Sequence, residues 1–350
     1  KKAKQFLGKE VANIEDAIAG ASDIIAQRYA DDFRTKEVIR NIVLNYGILE
    51  TKRTKTFDEN GVYVSVANVS EKVKYIKSHR FLAISRAVNE KELTVKIEVD
   101  ENYILENIKK YKIPSSAESS KELVFQAYKD GLKRLLLPSL KREALSELKE
   151  KASSDAIILF GKNLKELLLT PPLVNQVILG MDPGYVSGCK LAVIDINGDY
   201  LASNVIYPTK PREDFTSSSK IVLELIKKYK INSIAIGNGT ASQETAAFVA
   251  KLIEENKLDV KFAVVSEIGA SVYSASKIAI QEYPNLDVTI RGAISIAQRL
   301  RDPMAALVKI DPKSLGIGQY QHDVNQKELN TKLENRSEER RVGKECLITC

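Results

Sequence analysis

Val177–Pro208 reads VILGMDPGYVSGCKLAVIDINGDYLASNVIYP. Three strand-like runs, QVILGMDPG, GCKLAVIDI and YLASNVIYP, are separated by two turns. The first turn carries one carboxylate, Asp182, followed by Pro183 and Gly184. The second is Asn197-Gly198, a strong signal for a tight hairpin. Downstream the apolar period changes. It predicts a helix over Asp214–Lys230, a strand over Ser233–Gly237 and a helix over Ser242–Asn256. A strand over Lys261–Ser266 and a helix over Ser271–Glu282 follow. Hairpin-joined strands run antiparallel and βαβ crossovers run parallel, so the order βββαβαβα implies a mixed sheet with helices on its faces.

That order is the order of a ribonuclease-H-like domain, expected over 177–302. Upstream, residues 9–48 read as helices from their i, i+3, i+4 apolar spacing. A polar stretch with an Asn60-Gly61 turn leads to LTVKIEVD, which alternates like a strand. Residues 101–170 read as mostly helical, with a break at Pro114-Ser115-Ser116 and an interruption at Pro138. Pro171-Pro172 ends this body and marks a domain boundary. The expected fold class is α+α/β: a mostly helical body over 1–172, the mixed-sheet domain, then the start of a further helical segment over 303–335. The run from Arg336 to Cys350, RSEERRVGKECLITC, has no apolar periodicity and resembles the translation of a sequencing-adapter read-through. It is treated as a foreign tail.

The 350 residues are 44% hydrophobic, enough for ordinary buried cores. No apolar run reaches the roughly 18 residues that a membrane span needs. The start, KKAKQFLGKE, lacks a signal-peptide apolar region and has no Met. A piece of a longer cytoplasmic protein, off the membrane and monomeric, is the expectation. Net charge is +7, with 31 basic against 25 acidic residues over 1–176 and 14 against 14 over 177–302. A basic flank beside a neutral domain suits a polyanion, and equally a solvated lysine-rich surface. Cys189, Cys346 and Cys350 form no CxxC or Cys/His cluster, which argues against a structural zinc site.

Asp182 admits three readings. In a ribonuclease-H-like cleft it binds a divalent metal together with further acids. In an actin-like ATPase or sugar kinase, DPGYVSG would be a phosphate loop. In the plainest case Asp-Pro-Gly only forms a turn. Glu267 ends the strand over Lys261–Ser266, and Asp302 precedes Pro303. With Asp182 they make a candidate catalytic set, and Asp182 is the candidate metal ligand. Where a further acid is expected, after the strand over Ser233–Gly237, Asn238 stands between two glycines. Glu244 opens a helix, where an acid also favours the dipole. Gly184, Gly239, Thr240 and Ser242 are phosphate-loop candidates, with Thr240 or Ser242 as a plain helix N-cap in the alternative. Arg80, Arg86, Lys133, Arg134, Lys141 and Arg142 are candidate phosphate contacts. His79 lacks the partners of a triad. His322, Asp323, Gln319, Gln321 and Gln326 suggest a polar docking network.

EDAIAGASDIIAQR, SHRFLAISR, AYKDGLKRLLLPSLKRE, AIGNGTASQET, VVSEIGASVYSAS and RGAISIAQRLRDPMAALVKIDPKSLGIGQYQHDVNQ, with the opening stretch, resemble one family: the Tex transcription accessory proteins. The resemblance runs from near residue 9 to near 330. It implies a bacterial cytoplasmic protein linked to transcription, with a helix-turn-helix-like region in a helical body. A YqgF domain of ribonuclease-H-like fold, helix-hairpin-helix motifs and an S1 domain follow in the family. The S1 domain, which supplies much of the family's RNA binding, is not in this sequence. The resemblance also implies a degenerate nuclease-like domain, in line with Asn238. The expected function is a non-catalytic scaffold binding RNA or DNA through basic residues, with the transcription machinery as partner. No cofactor is expected. Mg²⁺ or Mn²⁺ enters only under the alternative of a metal-dependent nuclease. A protein–protein scaffold is the third reading.

Overall fold

The computed structural model describes residues 11–111 and 120–335, with Gln5 and Gly8. The expected foreign tail, 336–350, and the expected break at Pro114 lie outside the described residues. The chain divides into two compact units between Ala156 and Ile157.

In the first unit, Asn13 accepts from the Asp16 N–H at 2.7 Å and starts α1 (Ile14–Asp31). Asp32 ends that helix and caps α2 (Phe33–Tyr46), accepting from the Thr35 N–H at 2.9 Å. A three-stranded antiparallel sheet follows, in the order β2 (Ser70–Lys72), β1 (Ile48–Arg53), β3 (Leu93–Glu98). The alternation in LTVKIEVD anticipates β3, but β1 is a strand that the sequence reading leaves out. Leu49 and Thr51 of β1 turn inward while Glu50, Lys52 and Arg53 stay wetter, so the strand looks polar in sequence. Helix α3 (Ser78–Asn89) buries Phe81, Leu82 and Ile84. Helices α4 (Glu101–Tyr111) and α5 (Lys121–Asp130) follow.

The expected interruption at Pro138 is absent. A π-helical turn, Gly131–Leu136, leads straight into α6 (Leu137–Leu168). The Leu137 N–H bonds five residues back, to Leu132 O. The widened turn therefore sits next to the one residue that has no N–H to donate. Gly131 lies against the Ala26 carbonyl of α1, where a Cβ would come within 2.6 Å.

The second unit holds a five-stranded sheet in the order β6-β5-β4-β7-β8. Its strands are β4 (Ile178–Asp182), β5 (Cys189–Ile194), β6 (Tyr200–Ile206), β7 (Ser233–Gly237) and β8 (Lys261–Val265). β4 pairs antiparallel with β5 and parallel with β7, and β7 runs parallel to β8. The first three strands plus two parallel crossover strands make a ribonuclease-H-like sheet. One face carries Leu179, Met181, Leu191, Val193, Ile234 and Ile236 against α7 (Phe215–Tyr229) and α8 (Ser242–Asn256). The other carries Ile178, Ala192 and Ala235 against Ala293, Ile294, Ile296 and Ala297 of α11 (Val288–Arg301). Gly180 permits this second contact, because a Cβ there would stand 2.2 Å from Ala293 O. The helix expected over Ser271–Glu282 is two pieces, α9 (Ala270–Ser274) and α10 (Lys277–Glu282). Ser276 breaks it by capping α10, accepting from the Ala279 N–H at 3.2 Å. Then α12 (Pro303–Leu307) follows, and residues 326–335 are helical again. No helix among the described residues is long and apolar enough to cross a membrane.

Candidate functional site

β4 is the central strand, and its carboxyl end delivers Asp182 into a cavity of about 290 Å³. Glu267, just past β8, lines the same cavity, with Ala270, Ser271 and Ser274 of α9 and Val288, Thr289 and Gly292 of α11. Ligand clefts of open α/β sheets lie outside the carboxyl ends of the strands, and this one does. Burial, then the neighbouring Glu267 charge, push the Asp182 carboxyl up to about 6, and Lys190 opposes them. Lys190 faces Asp182 across the β4–β5 ladder, and its buried Nζ donates to Ser187 O at 2.5 Å and Gly188 O at 3.1 Å. Gly292 leaves the cleft open, since a Cβ there would meet Asp182 Oδ2 at 3.1 Å and nothing else within 4 Å.

Glu267 is held by its backbone. Its N–H donates to Asn238 Oδ1 at 3.0 Å. Arg299 Nη1 donates to the carbonyls on either side, Ser266 O and Ile268 O, both at 2.6 Å. Arg299 is only 6% exposed, and its Nε and Nη2 have no hydrogen-bond partner. Burial lowers its guanidinium pKa to about 10. The Glu267 carboxylate lies on the two glycines flanking Asn238, where a Cβ would come within 2.8 Å at Gly237 and 1.9 Å at Gly239.

Asp182 and Glu267 thus meet, but Asp302 does not join them. It caps α12, accepting from the Ala305 N–H at 2.9 Å, and lines a separate cavity with Gly198, Tyr283, Gln298 and Arg301. The reason is the length of α11, which starts beside Asp182 and ends at Arg301, one residue before Asp302. Among the described residues, no three His, Cys, Asp or Glu side chains gather where they could hold a metal ion. The donor set does not fit the pair of ions that a two-metal phosphodiester displacement needs.

The phosphate-loop candidates are differently used. Gly184 packs inside its own hairpin loop, where a Cβ would lie 2.9 Å from Ser187 Oγ. Gly239 faces a carboxylate, an unfavourable neighbour for an anion. The Ser242 N–H donates to Gly239 O at 3.2 Å. Neither Thr240 nor Ser242 is the N-cap of α8: Ala241, in the left-handed region at φ 60°, takes that place without a side-chain bond. Glu244 instead accepts from the Tyr185 hydroxyl at 2.7 Å, tying the β4–β5 loop to α8.

The candidate bases lie on the first unit, and most are engaged. Arg80 pairs with Glu71 at 2.8 Å, and Lys133 with Glu101 at 2.8 Å. Arg134 pairs with Asp130 at 2.7 Å and Asp23 at 3.0 Å. Lys141 approaches Glu98 at 3.8 Å. Arg142 Nε donates to Pro138 O at 3.2 Å, and Arg86 is half-buried on α3. His79 and His322 are exposed. Gln321 and Gln326 bond to backbone between Lys313 and Val324, so their network closes locally. The sequence reading misses Lys190, Gly292, Arg299 and Tyr185. All four lie in stretches of the family resemblance, Tyr185 and Lys190 in the opening stretch and Gly292 and Arg299 in RGAISIAQRLRDP, but their residue types and spacing carry no signal of this role.

A larger cavity, about 540 Å³, lies in the first unit between α2 and α4, lined by aliphatic, tyrosine and asparagine side chains. No carboxylate or basic side chain lines it.

Comparison with known proteins matches residues 1–160 to the Tex central region-like family and residues 176–301 to the Tex protein YqgF-like domain. Protein tex of Bordetella pertussis is 39% identical over 350 residues, which cover 95% of this chain and 44% of that protein. Transcriptional accessory protein Tex of Neisseria gonorrhoeae is 38% identical over 345 residues, 95% of this chain and 44% of the relative. The human S1 RNA-binding domain-containing protein 1 is 36% identical over 348 residues, 95% of this chain and 35% of the relative. The chain spans less than half the length of these relatives. With both of its units matched to Tex domains, the chain belongs to the Tex family of transcription accessory proteins.

Proposed function

We propose that this chain is the nucleic-acid-binding scaffold of a transcription accessory protein, and that its ribonuclease-H-like domain does not cut. One observation carries the second half: the cleft brings two carboxylates together, not three. Asn238, at the strand end where an acid is expected, turns its oxygen to the Glu267 backbone. Asp302 stands in another cavity. The first half draws on the family, on a relative named for an S1 RNA-binding domain, and on the basic excess over 1–176. Binding is to RNA or DNA phosphates through basic residues, so it weakens steeply with salt. The ion pairs of Arg80, Lys133, Arg134 and Lys141 must open before those groups reach a phosphate. Such surface pairs are worth about 0–1 kcal/mol each, so opening them costs each contact little.

The test uses the 350-residue chain as wild type and as Asp182→Asn. Binding and cleavage of labelled single-stranded RNA and branched DNA are followed with Mg²⁺ or Mn²⁺. Binding without cleavage, equal in both proteins, is expected. Cleavage that disappears in the variant would establish the nuclease instead. Absence of binding at any salt would leave a protein–protein scaffold.

A further inference from the structure

We infer that the exposed turn Lys72–Lys77, ahead of α3, is a contact surface for single-stranded nucleic acid, with lysines on phosphates and Tyr75 stacked on a base. The inference rests on the nucleic-acid reading above and adds the place of contact and the state of the strand. The stretch reads KVKYIK. Val73 is buried and its N–H donates to Gly47 O at 2.9 Å, which anchors the turn. Val73–Tyr75 forms a 3₁₀ turn, and the extended Lys77 leads into α3, whose Phe81 N–H bonds to Lys77 O at 2.9 Å. The backbone is therefore fixed at both ends, and binding has only side chains to order. Lys72, Lys74 and Lys77 are exposed, and so is Tyr75, at 61%.

The nearby carboxylates are already used. Glu71 holds Arg80, and Asp155 accepts from the Ser78 hydroxyl at 2.6 Å. Among the described residues, Lys72, Lys74 and Lys77 make no ion pair, in contrast to Lys133 and Arg134. They can meet phosphates without breaking anything. An exposed aromatic ring among cations is the arrangement on which unpaired bases stack, and bases inside a duplex offer it no free face.

The test is fluorescence anisotropy of the 350-residue chain with labelled oligouridine and with an RNA duplex, over a range of KCl. The variants are the triple Lys72→Ala, Lys74→Ala, Lys77→Ala, and the singles Tyr75→Ala and Tyr75→Phe, each checked for an unchanged urea midpoint. In the triple variant, the slope of log affinity against log salt is expected to flatten by about 2, near 0.7 for each phosphate no longer neutralised. Tyr75→Ala is expected to weaken oligouridine binding by roughly 5- to 150-fold, and Tyr75→Phe to leave it unchanged. Variants that bind like wild type would overturn this contact and leave the nucleic-acid reading standing. Tighter binding to duplex, insensitive to Tyr75→Ala, would overturn the single-strand assignment. A wild type that binds neither strand at low salt would overturn both readings.

Discussion

The Glu267 N–H points at the side-chain oxygen of Asn238, 3.0 Å away, and this bond sets the end of β8 against the end of β7. An acid in place of Asn238 would add charge to the cleft. The amide spends its oxygen on the backbone. Asn238→Ala removes the acceptor and is expected to lower stability by about 0.5–1.5 kcal/mol. Urea denaturation reads this directly, and an unchanged midpoint would rule out the clamp.

Asp182 makes the cleft a source of pH-dependent instability. Its folded pKa lies above its ordinary value, because burial and Glu267 disfavour the carboxylate. Its favourable contribution is therefore complete below about pH 4 and is lost as pH rises through about 6. The shift from 3.8 to about 6 corresponds to about 3 kcal/mol. Asp182→Asn should thus be more stable than wild type at pH 7, by up to about that amount. The advantage should vanish near pH 4. Equal stability of the two proteins at pH 7 would contradict the assignment.

Two glycines at the β4–α11 contact should respond in opposite ways. Gly180 faces backbone at 2.2 Å, so Gly180→Ala forces α11 outward and is expected to destabilise by about 1–3 kcal/mol. Gly292 faces only a side-chain oxygen that has room to move into an open cleft. Gly292→Ala is expected to be neutral, or stabilising by up to about 1 kcal/mol through helix propensity. Thermal melts of both variants decide this, and a matching loss in the two would mean that α11 does not seat against β4 through Gly180.

β1 carries its own test. Thr51 Oγ1 donates to Val66 O at 2.7 Å and accepts from the Val69 N–H at 2.9 Å, in a site only 4% exposed. Thr51→Val keeps the shape and strands both backbone groups. A loss of about 1–3 kcal/mol is expected in urea denaturation. A loss well below that range would mean that water reaches those groups.

The contrast between β1 and the main sheet explains what the sequence discloses. β4, β5 and β7 are buried on both faces, so they stand out as apolar runs between turn residues. β1 buries one face of a six-residue strand among lysines and glutamates, and its alternation drowns. Pro138 misleads because a π-turn is set by packing, here Gly131 on α1, and has no local signature. In the cleft, Asp182 and Glu267 are legible as acids at strand ends. Asp302 needs the length and course of α11, which spacing alone does not supply. The partners of the bases are beyond sequence reading for the same reason. Arg134 finds Asp23, 111 positions away, only once α1 packs on the π-turn.

Beneath the two acids of the cleft stand two buried cations. Lys190 sits under Asp182, and Arg299 sits behind the loop of Glu267. At neutral pH the four charges sum to zero. The two carboxylates line the cavity while the two cations donate to backbone carbonyls behind them, so the cleft is a local dipole with its negative end outward.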